Sequence, residues 1–229
     1  MIIGTGMIAR AFKSLEKNPD ILICAAGVSK SNEVNDDQFN KESELLKKAI
    51  NLNKKIIYFS TFSINQPKEN YSPYIIHKIK MEKLVSQSEK YIIYRVPQIV
   101  GYSNNSSLLL NYLNEKIKNG TYFTIWKNCF RSLIDVSDLV KIVNYSVNQP
   151  FCILNNKIHN IYNQNIISIE EIVKLFENLY KIKGNYSLVE KQEDILYSDK
   201  SGEDLVKNAG VEFDSAYNLK LIHKYYEKK

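Results

Sequence analysis

The sequence predicts an α/β fold, a mostly parallel sheet with helices on both faces and a small C-terminal lobe. Three observations predict it. Short apolar runs alternate with longer amphipathic stretches from the first residue onward, the pattern of strands and crossover helices. The apolar runs are continuous, as in strands buried on both faces. The 229 residues are 44% hydrophobic and 24% charged, enough for one substantial core, so a single globular unit is expected.

The strands expected in the first half are Met1–Ile3, Ile21–Ala26, Ile56–Ser60 and Tyr91–Val96, each short, apolar and rich in β-branched or aromatic residues. Helices fill the gaps. The first is expected from Met7 to Lys17, stopped by Asn18-Pro19, the second from Asp37 to Leu52 and the third from Pro73 to Ser88. Beyond Pro97 the texture changes. GYSNNSS reads as a polar loop, SLLLNYLNEKIKNG as a helix closed by Gly120, and TYFTIW as a strand. A helix over Val136–Val147 follows, then IHNIYN as a strand, ISIEEIVKLFENLYKIKG as an amphipathic helix with Ser168 as its N-cap, and NLKLIHKYYEKK as a terminal helix.

Composition narrows the function classes. Thirty-one Lys and Arg against 25 Asp and Glu give a net charge of +6, spread along the chain apart from a basic EKK end. This suits an anionic small molecule. Without a basic helix or an aromatic ribonucleoprotein motif, nucleic acid is not the expected partner. No apolar run approaches the roughly 18 residues of a membrane span, and Met1 leads straight into strand and glycine loop without a signal-peptide layout, so a cytoplasmic protein is expected. Cys24, Cys129 and Cys152 are odd in number and widely separated, and read as packing residues rather than a disulfide or zinc framework. His77, His159 and His223 form no pair with metal-ligand spacing, and no metal site is expected.

Gly4, Gly6 and Ala9 follow the first apolar run as G-x-G-x-x-A, which turns a strand into a helix and presents backbone N–H groups to a pyrophosphate. This is the opening of a Rossmann-like dinucleotide half. In YSPYIIHKIKMEKL, Tyr74 and Lys78 lie four apart, so both project from one helix face. A lysine ammonium near a phenol favours the phenolate and prepares it for proton transfer. Upstream, KKIIYFSTFSI is a buried strand ending in hydroxyls, which places Thr61 and Ser63 at the carboxyl end of the sheet, where ligands bind.

These pieces resemble the extended short-chain dehydrogenase/reductases, the NAD-dependent epimerase/dehydratase family, which act mostly on nucleotide sugars. The resemblance runs in the family's order through GTGMIA, ICAAG, FSTFS, Y-x-x-x-K, YRVPQIVG, FRSLIDVSDLV and IHNIYN. It implies that Thr61 is the catalytic hydroxyl, Tyr74 the acid/base, and Lys78 the group that tunes Tyr74 and holds the nicotinamide ribose. It further implies that Gly4, Gly6, Met7, Ile8, Ala9 and Arg10, with Ala25, Ala26 and Gly27, receive NAD or NADP. Ser63 and Arg131 fall where the substrate would sit, although Arg131 also suits a structural arginine before a buried strand. Asp135 and Asp138 are expected to fix the turn and start of the IDVSDL helix, and His77 has no role in the family's chemistry. On this reading residues 1–103 are the cofactor part and 104–229 a mixed, mainly substrate-side lobe.

The chain also departs from that pattern. DILICAAG, which resembles the family's fourth strand, follows the first helix directly, so the second and third strands are missing and the fold is a truncated Rossmann-like one. With them goes the acidic residue that usually holds the adenosine ribose. The first strand becomes an edge whose unpaired N–H and C=O groups need covering, and a homodimer is one way to cover it. Keeping the first helix on its family face would make the first crossover left-handed, against a strong rule. The adenosine is expected in a shallow site made from the glycine loop, Arg10 and the loop carrying Ser29, Lys30 and Asn32.

The family's 4,6-dehydratases place Asp-Glu after the catalytic threonine, where this chain has Phe62-Ser63, which disfavours dehydration. A shortened adenosine site suits release of the cofactor after each turnover. The expected function is therefore reduction of a keto-sugar nucleotide in surface-polysaccharide biosynthesis. A nucleotide-sugar epimerase is the alternative, and a catalytically degenerate nucleotide-sugar-binding scaffold the third.

Overall fold

The computed structural model describes residues 1–149, 156–190 and 199–227, so Cys152 and the last two lysines lie outside the described residues. The chain divides into two compact units that it visits in turn: Met1–Val96, Val136–Tyr162 and Ile195–Val211 form the first, and Pro97–Asp135, Asn163–Asp194 and Glu212–Lys229 the second. The first unit begins with β1 (Ile2–Ile3), α1 (Met7–Ala11), β2 (Ile21–Cys24), α2 (Asp36–Ile50), β3 (Lys55–Thr61), α3 (Pro73–Val85) and β4 (Tyr91–Val96). The second supplies β5 (Gln98–Val100), α4 (Leu109–Lys118), β6 (Phe123–Lys127), β7 (Phe130–Arg131) and β8 (Leu133–Asp135). Then α5 (Val136–Val147) and β9 (Lys157–Asn160) return to the first unit. The second resumes with β10 (Ile167–Ser168), α6 (Ile169–Tyr180) and β11 (Tyr186–Glu190), and α7 (Lys200–Asn208) and α8 (Tyr217–Tyr226) close the first and second units respectively. Among the described residues no helix is long and apolar enough to cross a membrane.

The first unit is built on a five-stranded sheet of order β1-β2-β3-β4-β9, parallel throughout. Ile21–Cys24, Ile56–Tyr58 and Ile92–Tyr94 are buried on both faces, which is why these strands read as unbroken apolar runs. The expected edge is present, since among the described residues β1 pairs with β2 alone, Ile2 opposite Ile23 and Ile3 opposite Cys24.

The sheet also settles the handedness of the first crossover. Consecutive side chains Tyr58 and Phe59 point to opposite faces. Tyr58 packs with Leu46 and Ala49 of α2 and Met81 and Val85 of α3. Phe59 stacks on Phe12 at the end of α1, 5.4 Å between ring centroids, and α1 packs on α5. The helices α1 and α2 thus lie on opposite faces while both crossovers step the same way across the sheet. The first crossover therefore has the hand opposite to β2-α2-β3 and β3-α3-β4. Parallel crossovers are right-handed as a strong rule, so the single crossover of opposite hand is the one expected to depart from it.

Element boundaries shifted for identifiable reasons. The helix expected to Lys17 ends at Ala11 and continues as a 3-10 turn over Lys13–Leu15, because the chain bends to bury Phe12 completely. The strand expected to Ala26 leaves the sheet after Cys24, where the backbone passes beside Gly4. The helix α5 spans Val136–Val147 as expected, and Ser168 caps α6 in a reciprocal capping box with Glu171. Several elements had no counterpart in the sequence reading, among them the short strands β5, β7 and β10. The strand β11 is half exposed and lies parallel to β6, and α7 carries a glycine and several charges, which mask its buried Leu205 and Val206.

The second unit has its own core, in which Leu113, Ile117, Cys129, Leu133, Ile172, Val173, Phe176 and Ile222 are fully buried. Among the described residues three two-stranded sheets accompany it, β5-β8, β6-β11 and β7-β10. Asp135, expected to start α5, ends β8 and accepts hydrogen bonds from Lys224 Nζ (2.6 Å) and Tyr225 Oη (2.7 Å), anchoring α8. Asp138 lies in the first turn of α5 and pairs with Lys141 at 2.7 Å.

Candidate active site

The carboxyl ends of β1, β2 and β3 and the start of α3 bring most of the expected residues into one region of the first unit. Gly4 leaves β1 with φ +128°, a conformation that a side chain rarely adopts, and a Cβ there would stand 2.7 Å from the Ala25 carbonyl carbon and 2.9 Å from Ala26 N. The glycine loop and the Ala25-Ala26 turn are thus in backbone contact. Gly6 is different. It precedes α1 without a side-chain cap, and a Cβ on it would meet nothing within 4 Å. The chain's own packing demands Gly4 but not Gly6. Met7 and Ile8 are half-buried, Ala9 is buried, and exposed Arg10 donates through Nη1 to Thr5 O at 2.9 Å. Gly4→Ala is therefore expected to lower the melting temperature, whereas Gly6→Ala leaves it unchanged; thermal unfolding of both variants checks this.

Thr61 is the last residue of β3 and is buried. Its Oγ1 accepts from Ser63 N at 3.3 Å, capping a 3-10 turn over Phe62–Asn65. The next helix starts with Ser72 as N-cap and Pro73 in the first turn, the arrangement that suits a proline lacking a donor. That start places Tyr74 and Lys78 one turn apart, both buried, with Lys78 Nζ 6.0 Å from the centroid of the Tyr74 ring.

The charge balance around Lys78 was not visible in the sequence reading. Glu42 of α2 is 2% exposed and occupies the centre of a buried cluster. Its Oε1 accepts from Lys78 Nζ at 2.8 Å and from Tyr58 Oη at 2.7 Å. Its Oε2 accepts from Val28 N at 2.8 Å and lies 3.0 Å from His77 Nε2. Lys78 also donates to Tyr58 Oη at 3.1 Å. An ionised carboxylate only accepts, so His77 carries its proton on Nε2. Burial pushes the Glu42 carboxyl up, but the Lys78 charge and the hydrogen bonds from His77, Lys78 and Val28 outweigh it and hold it at about 2. Burial and the neighbouring Glu42 charge drive Tyr58 well above the ordinary phenol range. The same two causes push the Cys24 thiol up to about 12, which leaves it inert.

His77, given no role from sequence, shares the carboxylate that holds Lys78 and stacks on Phe39 with ring centroids 4.5 Å apart. Gly27 sits against the same pair: a Cβ there would be 2.7 Å from Glu42 Oε1 and 3.0 Å from Lys78 Nζ. One signal for Glu42 was present. It falls on the buried stripe of α2 with Leu46 and Ala49, and a charge at a core position of an amphipathic helix needs a buried partner.

The remaining expected residues lie elsewhere. Ser63 is half-buried in the turn after Thr61, and Ser29, Lys30 and Asn32 are exposed on the loop following Val28. Arg131 belongs to the second unit, where β7 pairs with β10 and its Nη1 donates to Phe130 O at 2.8 Å. His159 is buried in β9, stacked on Tyr94, and His223 is on the exposed side of α8.

The profile of the NAD dependent epimerase/dehydratase family matches residues 8–161, a stretch that contains Glu42, Thr61, Tyr74 and Lys78. The chain belongs to this family. Solved structures agree on the fold. A UDP-glucuronic acid 4-epimerase from Bacillus cereus, in complex with UDP-glucuronic acid and NAD, superposes with a TM-score of 0.71 at 14% identity, covering 94% of this chain and 77% of that one. A UDP-glucose 4-epimerase from Thermotoga maritima with UDP-glucose gives 0.69 at 21% identity, covering 96% and 80%. RMD from Pseudomonas aeruginosa, complexed with NADPH, gives 0.69 at 16% identity, covering 91% and 82%. A comparison with curated protein sequences finds no match. As a family member the chain keeps the mostly parallel Rossmann-like sheet, with β1 at its edge.

Proposed function

We propose that this family member is an NAD(P)-dependent oxidoreductase that reduces a keto-sugar nucleotide. The observation that carries the reading is the pair Tyr74 and Lys78 on one turn of α3, with Lys78 fastened beneath the Ala25–Gly27 turn and that turn resting on the glycine loop. The residues present fit a dinucleotide. Open space at Gly6 admits a pyrophosphate to the backbone N–H groups that open α1. Among the described residues Lys78 has two of its three N–H donors engaged, leaving one for a ribose hydroxyl.

A bound nicotinamide supplies or accepts hydride at a sugar carbon. In the proposed chemistry Tyr74 moves a proton to or from the oxygen on that carbon, Lys78 orients the ribose, and Thr61 hydrogen-bonds the substrate oxygen. Ser63 and Arg131 are the proposed substrate contacts, Arg131 toward a nucleotide-sugar phosphate. Ala25, Ala26 and Gly27 line the dinucleotide, with Gly4, Gly6, Met7, Ile8, Ala9 and Arg10 at the pyrophosphate.

Reduction is preferred to epimerisation because, among the described residues, the sheet ends at β1 with no strand beyond it to offer a carboxylate to the adenosine ribose. An epimerase must keep its reduced cofactor through each cycle, whereas a reductase must release it. The epimerase reading has its own support in the 4-epimerases named among the structural neighbours. Calorimetric titration with NADH and NADPH separates the two. The expected result is a protein purified free of dinucleotide that binds both weakly, with Lys30→Ala reporting any contact to a 2′-phosphate. Tight, stoichiometric NAD carried through purification would select the epimerase.

A further inference from the structure

We infer that Glu42 is a positioning residue for Lys78: its carboxylate, together with the Tyr58 hydroxyl, directs the lysine's remaining N–H donor to the dinucleotide. The inference rests on the dinucleotide reading above and deepens it by naming what makes the lysine competent.

The argument is one of donors and acceptors. A carboxylate offers about four lone-pair sites and an ammonium three N–H donors. Glu42 Oε2 is held by the Val28 backbone N–H at 2.8 Å and by His77 Nε2 at 3.0 Å, and His77 is itself held by stacking on Phe39. With Oε2 fixed from β2's exit turn and from α3, Oε1 cannot swing. Lys78 Nζ donates to it at 2.8 Å and to Tyr58 Oη at 3.1 Å, and Tyr58 Oη donates in turn to Oε1 at 2.7 Å. This closed triangle removes the rotation about the Cε–Nζ bond that an ammonium with a single partner would keep. The third N–H then has one direction. A lysine side chain loses much rotamer freedom when it is fixed, so ordering it before the ligand arrives strengthens the ligand's hold. Nothing in the Y-x-x-x-K spacing itself supplies such a constraint, and Glu42 lies 36 residues upstream of Lys78 in sequence.

A charge this deeply buried is also needed to stabilise the fold, so the test must separate positioning from stability. A double-mutant cycle on NADH affinity does so, read by calorimetry on folded protein monitored by circular dichroism. Glu42→Gln keeps the shape but cannot accept at all four sites. It is expected to weaken NADH binding about tenfold, and by no more than about twofold when Lys78 is already Met. Tyr58→Phe, which removes one acceptor and almost no volume, follows the same pattern with a smaller loss and serves if the Glu42 variant does not fold. Equal losses in both backgrounds, or no loss in the wild-type background, would overturn the inference while leaving the dinucleotide reading intact. Failure of the wild-type protein to bind either NADH or NADPH would instead overturn that reading, and the inference with it.

Discussion

Tyr74→Phe is expected to lower turnover by about 10²- to 10⁴-fold while leaving the melting temperature and NADH affinity near their wild-type values. The substitution removes one hydroxyl from a side chain whose ring is otherwise packed with Ile64 and Ile75. The proton that Tyr74 is proposed to move has no substitute in Lys78, one turn on, whose N–H donors serve Glu42, Tyr58 and the proposed ribose contact. The assay is NADH consumption with keto-sugar nucleotides, run beside interconversion of UDP-glucose and its 4-epimer. Retained turnover in Tyr74→Phe would remove Tyr74 from the chemistry. A collapse in NADH affinity would show that the hydroxyl serves the ligand and not the proton. Thr61→Val belongs in the same series and should act on turnover through the lost substrate hydrogen bond.

The second large effect is on stability. Glu42→Ala should lower the free energy of unfolding by about 3–5 kcal/mol, because it leaves the buried Lys78 ammonium and the half-buried Val28 N–H without their partner. Urea unfolding at neutral pH measures it. The same carboxyl sets a pH window. Its folded value of about 2 lies below the ordinary 4.5, so its contribution is complete above about pH 4.5 and is lost as the pH falls toward 2. The shift corresponds to on the order of 3 kcal/mol. The wild-type protein should therefore lose stability more steeply between pH 4.5 and 2 than Glu42→Gln does. Parallel profiles for the two proteins would show that Glu42 titrates normally in the folded chain.

Much of the fold was legible because strands buried on both faces leave continuous apolar runs, and Ile21–Cys24, Lys55–Thr61 and Tyr91–Val96 appear within a residue or two of expectation. The weak edges were not. The strand β11 exposes Leu188 and Val189, and the short charged helix α7 has only Leu205 and Val206 as apolar residues, so neither offers an apolar run of the kind that marks the buried strands. For the candidate site, local geometry was readable: a four-residue helical spacing, hydroxyls at a strand end and a glycine at a turn. Glu42 escaped because its function depends on partners 14, 16, 35 and 36 residues away in sequence.

The sequence by itself determined the class of the protein. Its periodicities specify a parallel α/β core, the order of its motifs specifies the family, and the direct run from the first helix into ILICAAG specifies that a strand pair is missing. Each is a local property, set by side-chain period and spacing along the chain. Only the tertiary structure decided the rest. It put β1 at an open edge and gave the first crossover the opposite hand to the next two, placed Asp135 under the C-terminal helix, and seated a buried carboxylate against Lys78. These are outcomes of which surfaces meet when the chain closes. A glutamate in water and a glutamate sealed against a lysine, a histidine and a tyrosine are the same letter, and burial alone makes them chemically different.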